Sequence, residues 1–152
     1  MKKIVVIGGG TMGLDIAHTF ARSGNQVIVR EINEEFANKA KDRLVATLDK
    51  MVARGKMEEA KKAEILGNMT FTSELASAAD ADLVVEAAVE NLEIKKKIFA
   101  ELDELCKPEA IFASNTSSLP ITDMAYGQKH PLIGMHFFNP VPSMKLVEII
   151  RG

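Results

Sequence analysis

Apolar and polar residues along this chain form two alternating patterns. Short runs of consecutive apolar residues begin at Ile4, Val27 and Leu83, and such runs are typical of strands buried on both faces. Between the runs, apolar residues recur every three or four positions, for example at Ile16 and Phe20, as on the buried face of a helix. The pattern predicts alternating strands and helices, which is typical of an α/β protein with a parallel sheet.

Seven strands are predicted, and helices or helical turns join most of them. The predicted strands are residues 4–7, 27–31, 69–72, 82–86, 110–113, 132–138 and 146–150. The predicted helical segments are the one that follows a glycine loop and ends at Gly24, the long one that Asn33 caps, and residues 57–66, 73–79, 91–105 and 120–126. Within 91–105 the predicted buried stripe is Ile94, Ile98, Leu102 and Leu105.

Two connections depart from simple alternation. Gly55 and Lys56 break the long helix, so a helical hairpin is predicted between strands 2 and 3. The Pro-rich loop between the last two strands is too short for a parallel crossover, so these two strands are predicted to be antiparallel.

The first strand runs directly into a glycine-rich loop. Gly8, Gly10 and Gly13 form the pattern G-x-G-x-x-G, in which the first glycine allows a tight turn and the second lets a pyrophosphate approach the backbone. The third lets the helix pack on the strand, and the amides of the helix start face the phosphates. The predicted cofactor-binding residues of this loop are Gly8, Gly10, Thr11, Met12 and Gly13. Glycines that serve only a tight turn are the alternative.

An acidic residue, Glu31, ends the second predicted strand, where a dinucleotide's ribose needs a carboxylate. A carboxylate would accept hydrogen bonds from a free 2′-hydroxyl and repel a 2′-phosphate, so the predicted cofactor is NAD. Arg30 adjoins Glu31 and could turn to a phosphate, which leaves NADP open. The order of elements and this motif together predict a Rossmann-type, doubly wound α/β fold with a mostly parallel sheet, an antiparallel final strand pair and the helical hairpin between strands 2 and 3.

Composition narrows the classes of partner. The 152 residues, 47% of them hydrophobic, suit one domain with its own core, and a net charge of −2 gives no field for nucleic acid or an anionic membrane. The apolar run after Met1 is too short for a signal peptide and nothing approaches a membrane span, so a cytoplasmic location is expected. Cys106, the one cysteine, excludes an internal disulfide and is expected to pack near a helix end; no metal site is predicted.

Histidine and glutamate lie on the last two predicted strands. Leu146, Glu148 and Ile150 share one face, so the carboxylate needs a partner. An antiparallel turn would bring it beside His136, and a carboxylate that orients an imidazole makes a general base of it. A core histidine satisfied by a structural acid is the alternative. Neither His18 nor His130 is expected to have such a setting.

Hydroxyl and amide groups follow the strand at 110–113, in the stretch 114–118. They lie at the carboxyl end of a strand, where open α/β sheets bind ligands, so they could hold a substrate oxygen. An ordinary helix cap before Pro120 is the alternative. No G-x-S-x-G elbow surrounds these serines, which argues against a nucleophile.

Four stretches together resemble one family. The glycine loop, Glu86-Ala87-Ala88-Val89-Glu90-Asn91, the serine stretch 114–118 and Gly134-Met135-His136-Phe137-Phe138-Asn139-Pro140 occur in this order, followed by Lys145-Leu146-Val147-Glu148. The chain resembles L-3-hydroxyacyl-CoA dehydrogenases of the short-chain, 3-hydroxybutyryl-CoA type over residues 1–152. The resemblance implies hydride transfer between a 3-hydroxyacyl-CoA and nicotinamide.

The resemblance also implies roles for single residues. His136 takes the proton of the 3-hydroxyl, Glu148 orients it, and Ser117 donates a hydrogen bond to the reacting oxygen. Asn139, Glu90, Lys95 and Ser117 contact the cofactor, and Glu31 stands where the family often has aspartate. On the long helix, Arg43, Thr47, Lys50 and Arg54 share one stripe, and the resemblance implies that Thr47, Lys50, Arg54 and Ser117 contact coenzyme A. A solvated basic face is the alternative for the stripe.

Family members continue beyond the position of Gly152 into a helical domain that closes over the substrate and forms a homodimer. Residues 1–152 are therefore expected to be the NAD-binding domain alone, with that helical dimerisation domain absent and with severely reduced activity. Two other functions remain open: a dehydrogenase of β-hydroxyacids that uses a lysine base, and a dinucleotide-binding module without catalysis.

Overall fold

The computed structural model describes residues 2–88, 91–115, 121–125, 127–137 and 147–151. Its strands are β1 (Lys3–Ile7), β2 (Gln26–Arg30), β3 (Met69–Thr72), β4 (Leu83–Glu86), β5 (Ile111–Ser114), β6 (Leu132–Phe137) and β7 (Val147–Arg151). Its α-helices are α1 (Thr11–Arg22), α2 (Glu34–Ala53), α3 (Glu59–Gly67), α4 (Leu92–Leu105) and α5 (Ile121–Ala125), with a short 3-10 helix at Leu75–Ala78. Each predicted strand thus has a counterpart, to within a residue or two at its ends.

Within the described residues the strands form one seven-stranded sheet in the order β3-β2-β1-β4-β5-β6-β7. The pairs from β3 to β6 are parallel, and β6 pairs with β7 in the antiparallel direction. This confirms the doubly wound fold and the direction of the last pair. The strand order reverses between β1 and β4, so the ligand crevice of such a sheet lies outside the carboxyl ends of these two strands.

Successive residues of the strands point into two separate cores, one on each face of the sheet. On β1, Val6 packs with Ile16 of α1 and Leu48 of α2, whereas Val5 packs with Phe99 of α4 and Phe112 of β5. All six are fully buried, which explains the uninterrupted apolar runs of the inner strands.

The helical hairpin between β2 and β3 forms as predicted. Asn33 caps α2 because its Oδ1 accepts a hydrogen bond from the Phe36 N–H over 2.9 Å. Gly55 follows α2 with φ +71°, a left-handed conformation that favours glycine, and α3 then packs back on α1 and α2.

The buried face of α4 differs from the predicted stripe. Ile94 is 44% exposed, whereas Lys95, Phe99, Leu102 and Asp103 are buried. The prediction assumed that apolar residues alone mark a buried face. Here a lysine and an aspartate are buried because each has partners of opposite charge or matching hydrogen-bonding character.

No helix in the described part of the chain is both long enough and apolar enough to cross a membrane.

Candidate active site

The glycine loop has the close contacts that its motif predicts. Gly8 has φ +107°, and a Cβ on it would lie 2.7 Å from the Ala87 carbonyl oxygen. A Cβ on Gly13 would lie 1.9 Å from the carbonyl oxygen of Gly8, so only glycine lets α1 approach the loop. At Gly10, by contrast, a Cβ would meet no atom within 4 Å. The loop is therefore closed on its protein side and open at Gly10, which fits the approach of a pyrophosphate.

The start of α1 adds hydrogen-bond donors to this opening. Gly10 is the extended N-cap residue, it has no side chain that could cap the helix, and no acid lies in the first turn. The amides of that turn consequently suit an anionic ligand, whose charge the helix dipole favours. Thr11 and Met12, both predicted cofactor residues, begin the helix there.

Gly9 is a further glycine that the structure requires, although the motif leaves its position open. A Cβ there would lie 2.8 Å from the Ala40 Cβ and 3.2 Å from Glu31 Cγ. Its carbonyl oxygen accepts a hydrogen bond from the guanidinium of Arg43 on α2. Arg43 is thus turned toward the glycine loop, which separates it from the rest of the basic stripe with which the sequence grouped it.

Glu31 lies directly after β2, beside the loop, as predicted. Its backbone N–H donates to the Thr72 carbonyl over 2.9 Å, which fixes its place at the sheet edge. The side chain lines an open cavity of about 480 Å³ whose other lining residues are Phe36, Lys39, Asp42 and Arg43. A carboxylate at the rim of a cavity of this size suits the ribose of a dinucleotide.

Arg30, the residue that left NADP open, has another partner. Its Nε donates to the Ser73 carbonyl over 3.1 Å, at the end of the neighbouring strand β3. The guanidinium is thereby tied to the β3 end of the sheet, which favours NAD at Glu31.

A buried polar network lies beneath the carboxyl end of β4. Glu86 and Lys95 are both 0% exposed, and Lys95 Nζ lies 2.6 and 2.7 Å from the two carboxylate oxygens of Glu86. Ser114 Oγ donates to Oε1 over 2.7 Å, and the Ala88 N–H donates to Oε2 over 2.6 Å. Lys95, a predicted cofactor residue, therefore lies inside the protein with its ammonium on Glu86.

Sequence reasoning missed Glu86, although a signal was present. An acid that ends an apolar strand needs a partner once that strand is buried, and this argument was applied to Glu148 alone. What the sequence lacked was the identity of the partner, because Lys95 lies on a helix whose buried face was misassigned.

His136 and Glu148 are directly opposite in the antiparallel pair of β6 and β7. The predicted register is thus confirmed for the backbone, and the contact between the two side chains stays a prediction. Ser114 is opposite Gly134 on β6, so His136 lies two residues farther toward the carboxyl edge, on the sheet face shared by alternate residues. The Phe137 N–H donates to Asn115 Oδ1 over 3.2 Å, which links β6 to the end of β5.

Three predicted site residues, Ser117, Asn139 and Glu90, lie outside the described residues. The predicted coenzyme A residues Thr47, Lys50 and Arg54 are exposed along one stripe of α2, where Thr47 Oγ1 donates to the Arg43 carbonyl over 3.0 Å. The structure leaves this stripe accessible to an anionic ligand, and a coenzyme A contact stays a prediction.

One expectation about histidines was wrong. His130 does have a carboxylate partner: its Nδ1 lies 2.6 Å from Asp103 Oδ1, and its Nε2 lies 2.8 Å from the Lys107 carbonyl. The ring also stacks on Phe112 with the centroids 4.5 Å apart. Because α4 brings Asp103 to the loop before β6, a separation of 27 residues hid this pair from the sequence. It lies at the amino end of β6, away from the crevice, and its contacts are those of a structural histidine.

Cys106 packs at the end of α4, as expected. Its Sγ donates to the Ala78 carbonyl over 3.3 Å, and burial, with a smaller contribution from Asp103, raises the pKa of the thiol to about 11. The thiol is therefore protonated near neutral pH and suited to packing rather than to reaction.

Comparison with known proteins gives a consistent result. Residues 3–152 match the family model described as "3-hydroxyacyl-CoA dehydrogenase, NAD binding domain". A 3-hydroxybutyryl-CoA dehydrogenase of Clostridioides difficile is 49% identical over 99% of this chain and 54% of its own length. The chain spans about half the length of the curated relatives it matches.

Solved structures agree with the sequence relatives. A crystal structure of 3-hydroxybutyryl-CoA dehydrogenase from Escherichia coli K12 superposes with a TM-score of 0.93 at 43% identity, covering 97% of this chain and 32% of that one. A crystal structure of (S)-3-hydroxybutyryl-CoA dehydrogenase from Ralstonia eutropha superposes with a TM-score of 0.93 at 37% identity. It covers 100% of this chain and 54% of that one.

Proposed function

Because this chain belongs to the 3-hydroxyacyl-CoA dehydrogenase family and matches its NAD-binding domain, we propose that it binds NAD(H) for an oxidoreductase that interconverts 3-hydroxyacyl-CoA and 3-ketoacyl-CoA. The proposed substrate is 3-hydroxybutyryl-CoA, after the names of the most similar relatives. The observation that carries the proposal is the placement of His136 opposite Glu148 at the same sheet edge as the glycine loop.

In the proposed reaction, His136 takes the proton of the substrate 3-hydroxyl, and Glu148 orients the imidazole and stabilises it when protonated. Ser117 donates a hydrogen bond to the reacting oxygen. NAD, when bound, would supply the nicotinamide that accepts the hydride from substrate C3. In the opposite direction protonated His136 returns the proton to the oxygen of the ketone.

The proposed cofactor site follows the geometry described above. Gly8 and Gly13 keep the loop tight, and Gly10 with the amides of Thr11 and Met12 receives the pyrophosphate. Glu31 accepts from the ribose hydroxyls of the adenosine half. Glu90, Ser117 and Asn139 are proposed to contact the nicotinamide half, and Lys95, whose ammonium is buried on Glu86, is proposed to support this half from beneath.

The acyl-CoA is proposed to place its phosphates along the exposed stripe formed by Thr47, Lys50 and Arg54, where two cations are accessible. Since the chain matches about half of each curated relative, we further propose that a second, helical domain completes the substrate site and makes the parent enzyme a homodimer.

Two measurements on the chain test this function. The chain should bind NADH in a fluorescence titration, and a parent enzyme carrying this domain should oxidise NADH in the presence of acetoacetyl-CoA. A chain that does not bind NADH would refute the cofactor assignment, and a parent that reduces no 3-ketoacyl-CoA would refute the substrate class.

A further inference from the structure

The network around Glu86 occupies a special place in the sheet. Glu86 is the last residue of β4, opposite Ile7 of β1 on one side and Ser114 of β5 on the other. The strand order reverses between β1 and β4, so Glu86 lies directly beneath the crevice. A cofactor that begins at Glu31 after β2 must cross this point to reach His136 on β6.

Stability does not explain why an ion pair is buried here. Two charges lose their hydration when both side chains are 0% exposed, and pairs of this kind are often replaced by apolar residues without loss of stability. The carboxylate is nonetheless fully used, since its oxygens accept from an ammonium, a hydroxyl and a backbone amide. The Glu86 carboxylate instead holds the Lys95 ammonium, the Ser114 hydroxyl and the Ala88 amide in one arrangement.

The backbone amide is the informative partner. Glu86 Oε2 accepts from the Ala88 N–H, and the Ala87 N–H donates to the Ile7 carbonyl over 2.8 Å. The turn at 87–88 is thereby fixed against the glycine loop, where a Cβ on Gly8 would lie 2.7 Å from the Ala87 oxygen and 3.2 Å from the Ala88 nitrogen. This turn forms the β4 wall of the crevice.

The geometry points to Glu86 as a positioning residue for the nicotinamide half of the cofactor. Its carboxylate sets the turn at 87–88 and, through Lys95 and Ser114, ties that turn to α4 and β5. The adenosine half lies on the other side of the glycine loop, where Glu31 and its cavity are built by β2 and α2. Glu86 is therefore expected to affect the nicotinamide half of the dinucleotide much more than the adenosine half, an inference that rests on the proposed binding of NAD(H).

The test compares two ligands, NADH and ADP, on the full 152-residue chain by calorimetric titration. ADP occupies the adenosine and pyrophosphate sites and lacks the nicotinamide half. Glu86→Gln keeps the shape of the side chain and removes its charge, so we expect the Kd of NADH to rise about tenfold or more while the Kd of ADP stays within about twofold.

Ser114→Ala is the milder variant, because it removes one hydrogen bond to the carboxylate and leaves the ion pair in place. We expect it to raise the Kd of NADH about two- to fivefold and to leave ADP unchanged. Asp82→Asn is the matched control. Asp82 pairs with Lys107 over 2.7 Å at the amino end of β4, so the same loss of one charge should change neither affinity.

The titrations distinguish a role of Glu86 in positioning the nicotinamide half from a purely structural role. Equal weakening of NADH and ADP in Glu86→Gln and Ser114→Ala would mean that the network is merely structural, and unchanged NADH affinity in both would remove it from the cofactor site. If Glu86→Gln does not fold, Ser114→Ala decides by the same comparison. A wild-type chain that binds ADP but not NADH would instead refute the proposed function, which is a different result from any change in a variant.

Discussion

Acidic residues follow or end two parallel strands of this sheet, and their surroundings give them different chemistry. Glu31, after β2, lines an open cavity and can accept hydrogen bonds from a ligand. Glu86, at the end of β4, is shielded from water and has all of its described contacts with protein donors. The same side chain is thus accessible to a ligand where the sheet edge is open, and is engaged by protein donors where a helix covers it.

At the level of single residues, the proposed base His136 gives the most direct prediction. In the parent enzyme, His136→Ala should lower kcat by about a hundredfold to ten-thousandfold, the usual contribution of a positioned acid–base group, without changing the Kd of NADH. Glu148→Gln should lower kcat less, because the imidazole remains and loses only its orienting partner. A near-normal rate for His136→Ala in steady-state NADH oxidation would show that another group is the base.

Glu31 is the residue proposed to select NAD over NADP. The wild-type chain should bind NADH more tightly than NADPH, and Glu31→Ala should reduce that preference about tenfold by removing charge-assisted hydrogen bonds and the repulsion of a 2′-phosphate. Arg30→Ala is the control and should change neither Kd, because its guanidinium donates to the Ser73 carbonyl. Tighter binding of NADPH by the wild type, in the same fluorescence titration, would contradict the assignment.

The burial of His18 predicts that the stability of the chain depends on pH. His18 is 2% exposed on α1, its Nε2 has no hydrogen-bond partner among the described residues, and burial, with Arg22 nearby, lowers its pKa. Below about pH 6.5 the unfolded chain takes up a proton that the folded chain does not, so the free energy of unfolding falls as pH falls.

Urea unfolding at pH 7.5 and pH 5.5 measures this effect. The wild type should lose more stability between the two pH values than His18→Leu, which cannot titrate at this position. Comparing each protein with itself cancels any effect of the substitution on packing, and equal losses would exclude His18 as the cause.

At the scale of elements, the long helix α2 packs one face on the sheet and exposes another to solvent. Ala40, Leu44 and Leu48 are buried against the sheet, Arg43 reaches the glycine loop, and the predicted coenzyme A stripe is exposed. Since residues three and four apart share a helix face, the exposed stripe follows from the spacing once the packed face is known.

Arg54→Ala tests the stripe. It should raise the Kd of acetoacetyl-CoA severalfold at low salt and less at high salt, because screening already weakens an exposed charge contact, and it should leave NADH affinity unchanged. Lys41→Ala removes a cation from a different face of α2 and should have no effect on either ligand. Equal affinity of Arg54→Ala and wild type for the CoA ligand would leave the stripe as a solvated basic face.

At the scale of the whole molecule, topology brings together residues that are far apart in the sequence. The parallel strands from β3 to β6 place their carboxyl ends at one edge, where Glu31, Glu86 and Ser114 lie. The reversed direction of β7 is what sets Glu148 against His136 at that edge. One edge of one sheet thus holds the cofactor loop and the proposed base.

For the chain as a whole, we expect cofactor binding without efficient turnover. The residues placed around the cofactor lie within 1–152, so the isolated chain should bind NADH. It should nevertheless reduce acetoacetyl-CoA much more slowly than a full-length relative does, because orientation of the substrate can account for about 7 to 11 kcal/mol of such a barrier. Comparable steady-state rates would show that a second domain is dispensable.

The sequence by itself determined the elements, the glycine loop and the antiparallel direction of the last strand pair. These depend on local periodicity, on turn residues such as Gly55 and on the shortness of one loop, which are all properties of neighbouring residues. The family resemblance added proposed roles for His136, Glu148 and Ser117 that no pattern could supply.

Only the tertiary structure decided which charges are buried and with what partners. The sequence shows Glu86 and Lys95, or Asp103 and His130, as ordinary polar residues on separate elements, because their pairing depends on how α4 rotates as it packs on the sheet. It likewise left Arg30 and Arg43 undecided between solvent and ligand, until the ends of β3 and of β1 brought a carbonyl to each. Burial makes an unpaired charge costly, so partner choice is a property of the packed molecule rather than of the residue.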